Sequence, residues 1–249
     1  MTVWLEAGLW GLLAGGALVF GAAIAWVVRV PQRVVAAVMA FGAGVLISTL
    51  AFDLMDEAEQ TGGLGPTLAG FVGGAIVYVA CNLALALRGA RHRKRSTGMM
   101  PSEDETPGSG AAIAVGALLD GIPESVVLGL SLLGGSGVGV TVLAAIFISN
   151  VPEGLSSAAG MKKSGRSARY VFGVWCAIAV ACGLSALAGA SVLEGAAPAT
   201  IAVITAVAAG AILAMVADTM IPEAFESTQL YTGLVATLGF ALAFAIDRV

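Results

Sequence analysis

Long apolar runs constrain the fold of this chain more than any other feature. A run of about 20 apolar residues is long enough for a helix to cross the hydrocarbon core of a bilayer. The chain has 249 residues, of which 58% are hydrophobic and 11% charged, with a mean hydropathy of +0.95, so a water-soluble globular fold is excluded. We predict an all-α membrane protein in which 1–249 form one transmembrane domain. The eight predicted spans lie near 6–28, 34–56, 64–87, 110–133, 138–160, 169–190, 197–220 and 228–246.

Most basic residues are concentrated in three loops that fall on one side of this eight-span prediction. Arg29 and Arg33 lie between the first two spans, five basic residues lie in 88–95, and four more lie in 162–169. The positive-inside rule makes that side cytoplasmic and places both termini outside. We therefore expect a plasma or inner membrane protein that has the lipid bilayer, and not nucleic acid, as a partner.

One long polar segment, near 88–110, separates the third and fourth spans. It is basic at its start and then rich in Ser, Gly and Pro, a composition that is typical of a flexible linker. We predict a flexible cytoplasmic linker here. The segment carries the only histidine of the chain, His92, which is either a solvated loop residue or a regulatory metal contact.

Two apolar stretches each place a proline beside a glutamate near their middle, as Pro123-Glu124 and Pro152-Glu153. A carboxylate at bilayer depth is energetically unfavourable, so it usually faces a pore or a partner group. Each proline also leaves the carbonyl four residues earlier without its helical hydrogen bond. Paired carboxylates with spare carbonyl oxygens are typical of a cation site.

Further polar residues share the helical faces of these glutamates. Asp120 precedes Glu124 by four residues and Ser149 precedes Glu153 by four, while Asn150 precedes Glu153 by three, so each set lies on one face. Such oxygen donors suit hard or borderline divalent cations. The alternative interpretation is structural: the Pro-Glu pairs mark kinked helices whose carboxyl groups are protonated or hydrogen-bonded.

An internal similarity relates the second and seventh spans. The segment from Gly44 to Ala58 aligns with the segment from Gly210 to Ala224, and Glu57 then meets Glu223. Because these spans run in opposite directions in the prediction, we expect an inverted repeat, as in many transporters. The acidic residues at the ends of the two spans are predicted to form an entrance or an exit; they are Asp53, Asp56, Glu57, Asp218 and Glu223.

The paired motifs resemble those of the ZIP family of divalent-metal transporters, whose members typically carry Pro-Glu-Gly in spans four and five. Pro123, Glu124, Pro152, Glu153 and Gly154 match that pattern. The resemblance implies a ZIP-like bundle with an inverted repeat of helices 1–3 and 6–8 around helices 4 and 5. It also implies transport of a zinc, manganese or iron class ion toward the cytoplasm, with the metal as substrate and no resident cofactor.

The chain departs from the family pattern at several positions. Asp120 and Ser149 stand where members typically have histidine, Asn150 stands where a glutamate is usual, and Cys182 stands where members often have a glutamate in span six. Cys182 is either a small buried hydrophobe or a soft ligand. We predict a divergent member without intramembrane histidines, whose oxygen-rich site favours manganese or ferrous iron over zinc. The predicted metal ligands are Asp120, Glu124, Ser149, Asn150, Glu153 and Cys182.

Two other functions remain open from the sequence. No predicted span contains a histidine, so a Ser-His hydrolase is excluded, but an intramembrane aspartyl-type hydrolase could use Asp120 and Asp218. A proton-coupled carrier of organic solutes could use the same carboxylates. Small-residue faces in the spans also allow a homodimer.

Overall fold

The computed structural model describes residues 2–94, 100, 102, 104–133 and 140–248, and the regular secondary structure of these residues is entirely helical. We number eight helices in chain order. They are α1 (Val3–Val27), α2 (Gln32–Gly62), α3 (Leu64–Leu85), α4 (Ser109–Ser131), α5 (Val140–Lys163), α6 (Ala168–Leu193), α7 (Pro198–Met215, Val216–Met220 and Ile221–Thr228) and α8 (Thr232–Asp247).

Seven helical stretches of the described chain are long and apolar enough to cross a membrane. The protein is therefore an integral membrane protein of the all-α class, as predicted. One stretch, Pro198–Asp247, is 50 residues long and covers two predicted spans. A straight helix of that length would measure about 75 Å, more than twice the hydrocarbon thickness of about 30 Å. The chain breaks at Gln229, whose φ is 43°, so α7 and α8 are separate helices.

The helices α2 and α7 are divided in the same way. Each begins with an α-helical segment of 18 residues, continues through a π-helical turn of 5 and ends with an α-helical segment of 8. The π-helical turns are Leu50–Leu54 and Val216–Met220. They contain Asp53 and Asp218, two of the acidic residues that the sequence analysis predicted at the ends of the second and seventh spans.

Glycines form matching contacts around these two helices. A Cβ atom at Gly44 of α2 would overlap the Ala236 carbonyl of α8, and one at Gly210 of α7 would overlap the Phe71 carbonyl of α3. The pairing of α2 with α8 therefore has a counterpart in the pairing of α7 with α3. In both pairs the absence of a side chain lets two helical backbones come into contact.

The helices α4 and α5 occupy the interior, whereas α3 lies at the periphery. The apolar window of α5 is largely buried, while that of α3 is mostly exposed. The large exposed side chains of α3 recur at helical spacing and form a lipid-facing stripe; they are Leu68, Val72, Ile76, Val79 and Leu83. The central position of α5 depends on Gly154, where a Cβ would overlap the Leu18 carbonyl of α1.

Two adjacent glycines of α3 allow a matched test of this packing. A Cβ at Gly74 would overlap the Val207 carbonyl of α7, whereas a Cβ at Gly73 would have no neighbour within 4 Å. We expect Gly74→Ala to destabilise the protein by about 1–3 kcal/mol through overpacking. Gly73→Ala should leave stability unchanged or raise it by up to about 1 kcal/mol through helix propensity. Unfolding in detergent, followed by circular dichroism, measures both; equal effects at the two positions would contradict the packing described.

Candidate functional site

The predicted ligands on α4 and α5 are all buried near the two helical prolines. Asp120, Glu124, Ser149, Asn150 and Glu153 are each at most 3% exposed. Pro123 and Pro152 lie within their helices without ending them. These polar side chains of α4 and α5 are therefore enclosed by the helix bundle.

Asp120 is the centre of a dense polar network. The Tyr78 hydroxyl donates to Asp120 Oδ1 at 2.6 Å, and the Arg93 guanidinium donates to Oδ2 at 3.1 Å and to Oδ1 at 2.9 Å. Arg93 also donates to Asn82 Oδ1 at 2.6 Å and to the Tyr78 oxygen at 2.9 Å. Both oxygens of the Asp120 carboxylate are thus satisfied by groups from α3 and from the segment that follows it.

Lys94 joins the carboxylates of α4 and α5. Its Nζ lies 2.9 Å from Glu153 Oε2 and 3.3 Å from Asp120 Oδ2. Lys94 and Arg93 are each only 3% exposed. Two positive charges from the segment after α3 are therefore paired with acidic side chains that the sequence had assigned to a metal.

The backbone of this segment is also held in place. The Ser157 hydroxyl of α5 donates to the Arg93 carbonyl at 2.6 Å, and the Ser156 hydroxyl donates to the Lys94 carbonyl. The segment reaches α5 because the chain turns sharply after α3 at Gly89, whose φ of 95° is in the left-handed region. Such a φ is readily adopted only by glycine.

The position of Arg93 and Lys94 differs from the sequence-based expectation. Both belong to the predicted polar linker of 88–110, yet they lie inside the helix bundle. The reason is electrostatic: buried carboxylates require compensating charge, and the basic start of this linker is within reach. Part of the linker, 95–99 with 101 and 103, lies outside the described residues.

Arg93 retains its charge in this environment. Burial acts to lower the pKa of its guanidinium, but the adjacent Asp120 carboxylate acts in the opposite direction and leaves the pKa above its ordinary value. Arg93 is therefore a permanent cation at this position.

Glu124 lies beside this network without joining it. It is 1% exposed, and its Oε1 has no hydrogen-bond partner among the described residues. It lies close to the charged side chains of Glu153, Asp120 and Lys94. Glu124 is therefore a third carboxyl group next to the charged cluster that still has an unused oxygen.

The other three predicted ligands direct their polar atoms elsewhere. Asn150 Nδ2 donates to the Ala14 carbonyl of α1 at 3.0 Å, and the Ser149 hydroxyl donates to a carbonyl of its own helix at 3.0 Å. The Cys182 thiol on α6 lies 3.9 Å from the Gly121 carbonyl of α4. These residues line the surroundings of the acidic cluster but are not coordinated to its charged groups.

The predicted entrance and exit residues fall in different places. Glu223 is buried, and its Oε1 lies 3.2 Å from the Ser156 hydroxyl. It therefore lies beside the serine that donates to the Lys94 carbonyl. Asp218 lines a surface groove that also includes His92. At the other predicted end, Asp53 lies near Asp247, while Asp56 and Glu57 are exposed.

The described part of the chain contains no group of three or more His, Cys, Asp or Glu side chains arranged to hold a metal ion. In this conformation the carboxylates of Asp120 and Glu153 are instead paired with Arg93 and Lys94.

Sequence reasoning missed several residues of the site. One available signal was the presence of Tyr78 and Asn82 in an apolar stretch, because residues four apart lie on the same face of a helix. Charge balance was another, because three carboxylates in α4 and α5 have no basic partner in the interior of any predicted span; Arg169 stands only at the start of one. The missed residues are Tyr78, Asn82, Arg93, Lys94, Ser156 and Ser157.

Fold and site together define a helical integral membrane protein with a buried acidic cluster at its centre. Comparison with protein-family models gives no match for this chain, and comparison with curated proteins gives none either.

Proposed function

We propose that this protein transports divalent cations across the membrane through the acidic cluster of α4 and α5. One observation carries the proposal: Asp120 and Glu153, from two proline-containing helices, share the buried Lys94 ammonium. Carboxylates held apart from water and directed at one cation supply the charge that a permeating ion needs on losing its hydration shell. The unused oxygen of Glu124 supplies a further donor beside them.

Charge balance at the cluster favours a divalent substrate. Asp120 and Glu153 are paired with Arg93 and Lys94, so two negative charges are balanced by two positive charges. A single divalent cation in place of the two basic side chains preserves that balance. A monovalent cation in the same place leaves one carboxylate uncompensated, which is unfavourable in a buried site.

The donor atoms of the site favour particular metals. Glu124, Glu153 and Asp120 provide carboxylate oxygens, and Asn150 and Ser149 provide neutral oxygens once they exchange their present partners. Such donors suit manganese and ferrous iron better than zinc, for which nitrogen and sulfur ligands are typical. Cys182, whose thiol lies 3.9 Å from the Gly121 carbonyl, is a soft donor near the cluster.

The architecture is consistent with eight spans built on an inverted repeat. The identical division of α2 and α7 and their matching contacts with α8 and α3 support the repeat of helices 1–3 and 6–8 around helices 4 and 5. With α7 and α8 counted separately, the basic loops lie on one side, which we assign to the cytoplasm. Both termini then face outward, and transport is directed to the cytoplasm, past Asp218 and Glu223.

An aspartyl hydrolase is less well supported by the site. An aspartyl dyad requires two carboxyl groups about 3 Å apart that share a proton. Asp120 is buried and paired with Arg93 and Lys94, whereas Asp218 is exposed in a groove beside His92. The alternative of a carrier for organic solutes is tested by the same transport experiment as the divalent-ion proposal.

The test is uptake by the purified protein in liposomes, measured across a panel of divalent ions. We expect uptake of Mn²⁺ and Fe²⁺ above protein-free liposomes, weaker uptake of Zn²⁺, and none of Na⁺ or K⁺. Inner and outer pH are varied independently, so that coupling to protons is read in the same assay. Absence of uptake for every divalent ion, or uptake of an organic cation instead, would refute the proposal.

A further inference from the structure

The segment 91–94 occupies the acidic cluster as a ligand would. Its two basic side chains contact Asp120 and Glu153, and its backbone carbonyls are held by Ser156 and Ser157. Side-chain and main-chain groups of the segment therefore each have a matching partner on α4 or α5. Side chains of α4 and α5 therefore form a binding site for the segment, and this binding site overlaps the proposed cation site.

We propose that the segment 91–94 is an internal competitor of the transported cation, an inference that rests on the proposed transport function. In the docked state, Arg93 and Lys94 neutralise the carboxylates, and a metal ion cannot engage Asp120 or Glu153. Release of the segment exposes both carboxylates together, and the arriving divalent ion restores the charge that the segment removed.

The chemistry of the docking contacts makes this exchange feasible. The segment is a turn between α3 and α4 and not part of a membrane-spanning helix. Arg93 and Lys94 dock through hydrogen bonds and ion pairs, which water or a metal can replace when the segment leaves. Because the segment is covalently tethered, its effective concentration at the site is about millimolar. It can therefore compete with a metal ion and dock again once the ion has passed.

The location of the segment gives the competition a direction. Its basic residues belong to a loop that the positive-inside rule assigns to the cytoplasm. The docked segment thus closes the cluster from the side on which the ion is released. Redocking would hinder the return of the ion from the cytoplasm to the site.

Trypsin cleavage of the native protein in detergent reads docking directly. The bonds after Arg93 and Lys94 are protected while these residues are buried, whereas Lys163 is exposed and provides a reference bond. We expect millimolar Mn²⁺ to raise cleavage after Arg93 and Lys94 at least fivefold relative to cleavage after Lys163. Na⁺ at equal ionic strength should not raise the ratio. An unchanged ratio in Mn²⁺ would overturn the competition.

A double variant tests the same inference without changing any charged group of the cluster. Ser156→Ala with Ser157→Ala removes the two hydroxyls that hold the segment and leaves Asp120, Glu124 and Glu153 intact. Weaker docking should raise metal-free cleavage after Lys94 about tenfold and lower the Mn²⁺ concentration for half-maximal uptake by a similar factor. Ser191→Ala is the matched control, because its hydroxyl bonds a carbonyl of its own helix. Native values in the double variant would contradict the inference.

The two readouts separate this inference from the proposed function. Cleavage that responds to Mn²⁺ in a protein that moves no ion into liposomes would refute transport and retain the competition for the site. Uptake by the native protein with cleavage that ignores Mn²⁺ would retain transport and make the segment a permanent part of the bundle. The cleavage assay uses the native chain, so it does not depend on the folding of any variant.

Discussion

Asp120→Asn is expected to lower the free energy of unfolding by about 3–5 kcal/mol. Asp120 accepts hydrogen bonds from Tyr78 and Arg93 and pairs with Lys94, and the three partners are buried. Asparagine keeps the size of the side chain but removes its charge. In the docked state, Arg93 then lies in the bundle without a carboxylate partner, which is the costly consequence of breaking a buried ion pair.

The loss of stability is measured by reversible unfolding in mixed detergent micelles. Asp56→Asn is the matched control, because Asp56 is exposed on α2 and its replacement should change stability by less than about 0.5 kcal/mol. Arg93→Gln in the Asp120→Asn background should recover part of the loss, since the two residues act as a unit. A change below about 1 kcal/mol in Asp120→Asn would contradict the assigned network.

Glu153→Gln and Glu124→Gln are both expected to reduce divalent-ion uptake at least a hundredfold, but with different effects on folding. Glu153→Gln removes a negative charge that balances the dehydrated ion, and Glu124→Gln replaces a carboxylate donor beside the ion with a neutral amide. Glu153→Gln also deprives Lys94 of a partner at 2.9 Å, so it should lower stability as well. Glu124→Gln removes a buried carboxyl group whose Oε1 has no hydrogen-bond partner in the described chain, so its stability should be native or higher.

Uptake of Mn²⁺ into liposomes and unfolding in micelles are measured on the same preparations. Glu59→Gln is the control, because this glutamate is exposed at the end of α2 and should affect neither quantity. The informative result is Glu124→Gln, since a stable protein without uptake separates transport from folding. Native uptake by both variants would remove these glutamates from the transport site.

The helices were largely predictable because apolar length is a local property. Predicted spans 64–87 and 169–190 correspond to Leu64–Leu85 and Ala168–Leu193. The prediction ended the second span at 56, whereas α2 continues to Gly62, because its last turns are acidic and read as a loop by hydropathy. For the same reason, the prediction ended the seventh span at 220, whereas α7 continues to Thr228.

The acidic half of the site was also predictable, and its basic half was not. A carboxylate beside a proline in an apolar helix is recognisable without coordinates, as Glu124 and Glu153 were. The composition of the segment that contains Arg93 and Lys94 is that of an exposed linker. Their burial depends on a left-handed turn at Gly89, on hydroxyls of α5 and on Tyr78 of α3, which are brought together only when the helices pack.

By itself, the amino-acid sequence determined that the chain is a bundle of membrane helices with carboxylates in its interior, because hydropathy and helical spacing act over a few turns. The tertiary structure alone decided which charges meet those carboxylates. Ion pairing depends on distance in space, and residues far apart in the chain, such as Lys94 and Glu153, come within 2.9 Å only in the packed bundle.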